Sequence, residues 1–232
     1  MKSIENKIMN WIGDKVKDTK TNGIVIGLSG GIDSSVSAVL CRKILDKLKV
    51  FGIILPCYSN NNDLRDAELL TNKFDIQYII YPLNDMYDSF KSHNPLSDNL
   101  TDANLKSRLR MAVLYYYANY YNSLVVGTTN KTEYEIGYYT KYGDGGVDIE
   151  PIADLYKTEI KKLAKYLKIP DKIINKAPSA GLWKGQTDED ELGITYSELD
   201  KQLKSKKYSK LVRDLINKSK HKRQMPPYCK LK

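Results

Sequence analysis

The chain of 232 residues is long enough to bury a full core, and its 28% charged and 41% hydrophobic residues, without repeats or low-complexity blocks, are those of an ordinary globular protein. No apolar run approaches the roughly 20 residues needed to span a bilayer, and MKSIENKIMNWIGDKVKD at the start mixes acids and amides into its apolar positions, unlike a signal peptide. Cys41, Cys57 and Cys229, with only His93 and His221 besides, form no metal-type spacing and leave an odd thiol, which excludes a structural zinc site and points to the cytoplasm. The net charge of +9 gathers toward the C-terminus, where Lys201 to Lys232 holds many bases against the single acid Asp214. Such a segment suits nucleic acid, a membrane surface, a small polyanion such as a nucleotide, or simply a solvated helix face.

In chain order, residues 1–20 read as an amphipathic helix with Ile4, Ile8, Trp11 and Ile12 on one face. Short apolar runs at 24–26, 50–55, 76–81 and 124–126 read as strands buried on both faces of a sheet. Helical spacing fills the gaps at 34–48, 63–72 and 101–121. This alternation predicts an α/β fold: a doubly wound, mostly parallel sheet flanked by helices, Rossmann-like, with ligands beyond the carboxyl ends of the strands. The loops after residues 26, 55 and 126 converge on one crevice in that fold. After residue 126 the chain is long, polar and glycine-punctuated until a helix at 157–167, and a second irregular piece runs from 176 to 193. Thr195-Tyr-Ser-Glu198 has capping-box spacing and predicts a helix start, and a last basic helix is predicted over 209–218. One domain over 1–232 accommodates all of this, with 194–232 as a basic helical segment packed on it.

The chemistry begins at Ser29-Gly30-Gly31-Ile32-Asp33-Ser34, between the first strand and the next helix. Glycine-rich strand-to-helix turns bind phosphate through free backbone N–H groups, yet the familiar phosphate loop ends in Gly-Lys-Ser/Thr and this one holds an aspartate. The segment resembles the pyrophosphate-binding loop of the ATP-pyrophosphatase superfamily, whose members split ATP between the α- and β-phosphates. A carboxylate facing a triphosphate is repelled unless a divalent cation lies between them, so Asp33 reads as a magnesium ligand.

NLKSRLRM at 104–111, VVGTTNKTE at 125–133, GYYTKYGDGGVDIEPIADLYK at 137–157, KAPSAGL at 176–182, DEDELGITY at 188–196 and HKR at 221–223 follow in one order. Together with the first loop they closely resemble the ammonia-dependent NAD synthetase family. The resemblance implies that the nicotinate carboxylate of deamido-NAD attacks the α-phosphate of ATP, and that ammonia then displaces AMP to give NAD. It assigns Gly27, Leu28, Ser29, Gly30, Gly31, Ile32, Asp33, Ser34, Thr128, Lys157 and Ser179 to ATP, with Asp33 and Glu133 sharing Mg2+ and Glu135 a nearby rival. It assigns Arg110, Lys141, Asp148, His221 and Lys222 to deamido-NAD, with Asp144 a weaker candidate. Arg108 lies two residues from Arg110 and cannot share its helix face. No residue is needed as a general acid or base, since a carboxylate nucleophile is already ionised.

The resemblance also implies a homodimer; the tyrosines at 115, 116, 117, 120 and 121 suit a helix–helix interface by themselves. No room is left for a glutamine amidase domain, so free ammonia is the expected nitrogen donor, and the partners are the small-molecule substrates rather than nucleic acid or membrane. The loops 130–145 and 176–193 are expected to act as lids that keep water from the adenylate. A tRNA-modifying enzyme of the same superfamily is the rival enzyme, favoured by the positive charge but lacking a recognisable RNA module. A non-catalytic nucleotide sensor would leave Glu133, Lys141, Asp148 and Lys157 unemployed.

Overall fold

Alternate residues of each central strand enter two different cores, and this fixes the layering. Ile24 and Ile26 of β1 (Gly23–Gly27) pack with one buried cluster, while Val25 packs with another. The same division holds for β2 (Val50–Ile54) and β4 (Ser123–Val126), so both faces are covered by helices. The structure, a computed structural model, describes residues 1–94, 96, 98–179 and 187–231.

The four strands lie in the order β3-β2-β1-β4, all parallel, with β3 at Gln77–Ile80. In register Ile26 pairs with Ile53's neighbour Gly52 on one side and Val126 on the other. The first three strands step one way and the fourth returns to the other side of β1. The reversal between β1 and β4 opens the crevice in which such sheets bind ligands.

On one face lie α1 (Lys2–Asp18), α2 (Ile32–Ile44), α3 (Asn61–Phe74) and, further on, α7 (Lys157–Tyr166) and α8 (Asp171–Ile174), sharing a core with Ile12, Val36, Leu70, Ile160 and Ile173. The other face is covered by α4 (Asn84–Ser92) and the long α5 (Asn99–Tyr121). A third cluster joins α6 (Lys131–Ile136), α9 (Asp188–Leu192), α10 (Tyr196–Ser205) and α11 (Lys210–Lys218) through Ile136, Leu192, Leu199, Leu203 and Val212. The C-terminal segment thereby packs beside the crevice.

Two expectations are corrected. Trp11 does not join the buried face of α1; it is exposed with Lys15 over its ring, and Glu5, Ile12 and Val16 are buried instead. Nor is β3 buried on both faces. It is the edge strand: Ile79 faces the α4 and α5 side, while Ile80 on the opposite face and the following Tyr81 are exposed.

Candidate active site

The turn after β1 is built for backbone rather than side-chain contact. Leu28 and Ile32 are buried in the core, which turns the main chain between them toward the crevice. Gly30 has φ +73, and a Cβ there would fall 2.2 Å from the Asp63 carbonyl oxygen, so only glycine fits. Ser29 and Ser34 join their hydroxyls at 2.9 Å, the Gly31 N–H donates to Ser29 Oγ, and Ser34 and Ser35 hydroxyls donate to the Gly31 carbonyl. Asp33 stands in the first turn of α2, where the helix dipole favours its negative charge.

The turn after β4 supplies the second carboxylate. Asn130 caps α6, accepting from the Glu133 N–H, while the Glu133 carboxylate accepts from the Asn130 N–H: a capping box. The same fully buried Asn130 donates through Nδ2 to Asp33 Oδ1 at 3.0 Å, tying the two loops together. Between the carboxylates lies Lys157, whose Nζ is 2.6 Å from Asp33 Oδ2 and 3.0 Å from Glu133 Oε1. Glu135 points elsewhere, with Lys131, Arg223 and Lys206 as its charged neighbours, so Glu133 is the acid brought to Asp33.

Lys157 begins α7, the end where the helix dipole disfavours a cation, and it is held there by tertiary contacts. Its N–H donates to Thr132 Oγ1 at 3.0 Å; the next N–H, of Thr158, donates to Asp200 Oδ2 at 2.9 Å, and Thr132 Oγ1 donates to Asp200 Oδ1. Asp200 of α10 is therefore the cap of α7 and the brace of α6 at once. Tyr196, also from α10, donates toward Glu133 Oε1 at 3.2 Å and Asp188 Oδ2 at 3.0 Å, and Tyr138 donates to the same Asp188.

Burial governs the protonation of this group. It pushes the Glu133 carboxyl up to about 7 against the pull of Lys157, with repulsion from Asp33 adding to the rise. Burial alone would discharge Lys157, but Asp33 and Glu133 outweigh it and raise its pKa, so the ammonium is kept. Among the described residues no three His, Cys, Asp or Glu side chains gather round one point. A hard divalent cation held by Asp33 and Glu133 would take its remaining oxygen ligands from phosphate and water, as magnesium does; the lysine ammonium standing between both carboxylates shows that one positive centre can meet the pair.

A second group lies along the segment after α6. Lys141 Nζ donates to the His221 carbonyl at 2.8 Å, and Lys222 Nζ donates to the carbonyls of Gly137 and Tyr139 at 2.8 and 2.6 Å. Burial lowers the Lys222 pKa. The Arg108 guanidinium donates to the Lys141 carbonyl at 3.4 Å and so joins this group. Arg110 does not: its Nε donates to the Leu55 carbonyl at 3.1 Å, at the end of β2, where burial lowers its pKa. Asp144 accepts from Ser107 Oγ and the Thr140 N–H, which fixes the Gly-Asp-Gly-Gly turn on α5. Asp148 accepts from the Val125 N–H at 2.7 Å and from Tyr115 at 3.0 Å. Thr128 is half-buried in the β4 turn, and Ser179 is exposed just before the stretch 180–186, which lies outside the described residues, as does part of the expected 176–193 lid.

Asn130, Asp188, Tyr196, Asp200 and Arg108 went unassigned in the sequence reading. The Asn130-x-x-Glu133 spacing is a capping-box signature that could have located the first; the others act through contacts 60 or more residues away, or across elements, that no local pattern encodes.

A parallel α/β sheet with a glycine turn, a helix N-terminus and a braced carboxylate pair at its switch point defines a nucleotide-binding enzyme of the ATP-pyrophosphatase type. The NAD synthase family matches residues 4–226, so the chain belongs to that family. It is 47% identical to an NH(3)-dependent NAD(+) synthetase of Methanocaldococcus jannaschii, over 98% of this chain and 96% of that one. Among solved structures it resembles the NMN synthetase of Francisella tularensis, with a TM-score of 0.93 and 40% identity over 98% of each chain. It also resembles the NH3-dependent NAD synthetase of Campylobacter jejuni, with a TM-score of 0.82 and 34% identity over 99% of this chain and 98% of that one.

Proposed function

We infer that this chain is an ammonia-dependent NAD synthetase, a ligase that forms a C–N bond by converting deamido-NAD to NAD at the expense of ATP. The observation that carries the reading is the Asp33–Lys157–Glu133 cluster at the carboxyl ends of β1 and β4, in a chain of this family. The tRNA-modifying alternative is not favoured by the relatives, which are NAD synthetases.

In this reading the nicotinate carboxylate attacks the α-phosphorus and the bond to the β-phosphate bridging oxygen breaks, giving an acyl adenylate and pyrophosphate. Ammonia then adds to the acyl carbon, AMP leaves with the C–O electron pair, and the nitrogen sheds its proton. The N–H groups from Gly27 to Ser34 and the N-terminus of α2 hold the pyrophosphate, with Ser29 and Ser34 as hydroxyl donors. Mg2+ held by Asp33 and Glu133 would supply neutralisation of the phosphate charge. Thr128, Lys157 and Ser179 complete the ATP contacts. Lys141, Asp148, His221 and Lys222 take deamido-NAD, with Arg110 at the β2 end of the crevice. Residues 1–232 form one domain in this reading, acting as a cytoplasmic homodimer through the exposed aromatic strip of α5. No helix among the described residues is long and apolar enough to cross a membrane.

Purified protein given ATP, Mg2+, deamido-NAD and ammonium chloride is expected to form NAD and pyrophosphate in equal amounts, and glutamine is expected not to replace ammonium. Pyrophosphate release that needs added tRNA would reject the reading. The likeness to the Francisella protein favours one second reading, in which the mononucleotide is amidated. Nicotinate mononucleotide offered in place of deamido-NAD decides it by the ratio of kcat/KM.

A further inference from the structure

The cation between Asp33 and Glu133 is the chain's own. Lys157 Nζ touches both carboxylates at 2.6 and 3.0 Å, its side chain is 3% exposed, and the Tyr196 ring centre lies 4.8 Å away. The Nδ2 of Asn130 fixes the other oxygen of Asp33, and the Tyr196 hydroxyl fixes the same oxygen of Glu133 that the lysine meets. Among the described residues no other cation lies within ion-pair distance of either acid. The pair is thus braced, and half of its charge is already met in the protein alone.

We propose that Lys157 is a resident counter-ion that bars free divalent cations from Asp33 and Glu133 until ATP draws it away, so that nucleotide and metal enter together. The inference rests on the NAD synthetase reading, in which these residues meet Mg2+ and ATP. Taking one partner from a buried ion pair strands a charge and is strongly unfavourable. A hydrated divalent ion arriving alone offers the displaced ammonium no new partner. ATP bound at the glycine turn offers one: its phosphate oxygens accept charge-assisted hydrogen bonds from the lysine. The same phosphates complete the oxygen shell that a small divalent ion demands. Binding linkage then requires that metal and nucleotide tighten each other by the same factor. Lys157 keeps its proton throughout; only its partners change.

The test uses Mn2+ as the probe, followed by electron paramagnetic resonance on the full chain. Wild-type protein without nucleotide is expected to show no tight site, and α,β-methylene ATP is expected to raise its Mn2+ affinity roughly 100-fold or more. Lys157→Met is expected to bind one Mn2+ without nucleotide, at least about 100-fold tighter than wild type, with the gain lost on adding Asp33→Asn. Should the methionine variant not fold, Lys157→Gln replaces it, one atom shorter than lysine and uncharged but keeping an N–H donor. Tight Mn2+ binding by nucleotide-free wild type, or a folded variant that gains no site, overturns the proposal. Because the titration contains no deamido-NAD, it stands apart from the wild-type assay for NAD, whose failure would instead reject the function.

Discussion

Glu150 folds its carboxyl over Gly127, where a Cβ would fall 2.3 Å from the Glu150 Cδ. It accepts from the Thr129 N–H at 3.1 Å and, among the described residues, has no ion-pair partner. Burial pushes its pKa up to about 8, with Asp144 and Glu133 adding repulsion. A carboxyl raised on folding contributes stability below the unfolded value of roughly 4.3, and that contribution is lost as pH rises through about 8. Glu150→Gln is therefore expected to stabilise the protein by about 1–2 kcal/mol at alkaline pH, or ~3–6 °C in Tm, and by less near pH 6. Thermal melts across that range check it, and an equal gain at every pH would contradict it. Gly30 admits no such relief. Gly30→Ala must carry a Cβ at positive φ into the Asp63 carbonyl, a strain of about 1–3 kcal/mol at least, and calorimetry should find ATP binding lost.

Single elements carry paired duties. On α5 the two arginines part company, Arg108 toward Lys141 and Arg110 toward the end of β2. Arg108→Ala is expected to raise KM for deamido-NAD while leaving Tm within about 1 °C, as exposed surface changes do. Arg110→Ala is expected to lower Tm by several degrees, and melts beside kinetics separate the two. At α7, Asp200→Ala strips the Thr158 N–H and the Thr132 hydroxyl of their acceptor. The expected loss is about 2–3 kcal/mol, with a raised KM for ATP because Lys157 begins that helix. These elements also show what the sequence displays. The strands at 24–26, 50–54 and 124–126 are legible because burial on both faces demands unbroken apolar runs. Helix α4 is not, since it is short, none of its residues is buried, and Met86, Tyr87 and Phe90 make too brief a stripe to announce it. Gly30 and Asp33 stand out through turn chemistry and Glu133 through the family resemblance alone, whereas Asp188, Tyr196 and Asp200 acquire meaning only once α9 and α10 pack against α6 and α7.

Across the whole molecule, apolar surface is left uncovered on one side. Tyr81, Met86 and Phe90 are exposed there, and Tyr116 and Tyr120 of α5 are more than 70% exposed. Tyr117 and Tyr121 turn inward against Phe51, so the strip is the outer half of an aromatic layer. Patches of this kind mark protein interfaces. In the homodimer reading, Tyr116→Glu with Tyr120→Glu is expected to yield monomers by sedimentation velocity and to leave the fold intact by circular dichroism. An unchanged sedimentation coefficient would place the interface elsewhere.

The two margins of the sheet are not equivalent. Beyond β4 the Asp148 carboxylate takes the Val125 N–H, and Ile149 bridges to Val126. That margin is sealed against another chain adding as a strand, while among the described residues β3 has no such stopper. Asp148→Ala would thus unseal a flank as well as remove a residue proposed to meet deamido-NAD. A preparation of that variant would clump by edge-to-edge pairing, and its lost activity could be mistaken for a purely chemical defect unless the fraction remaining in solution were measured first.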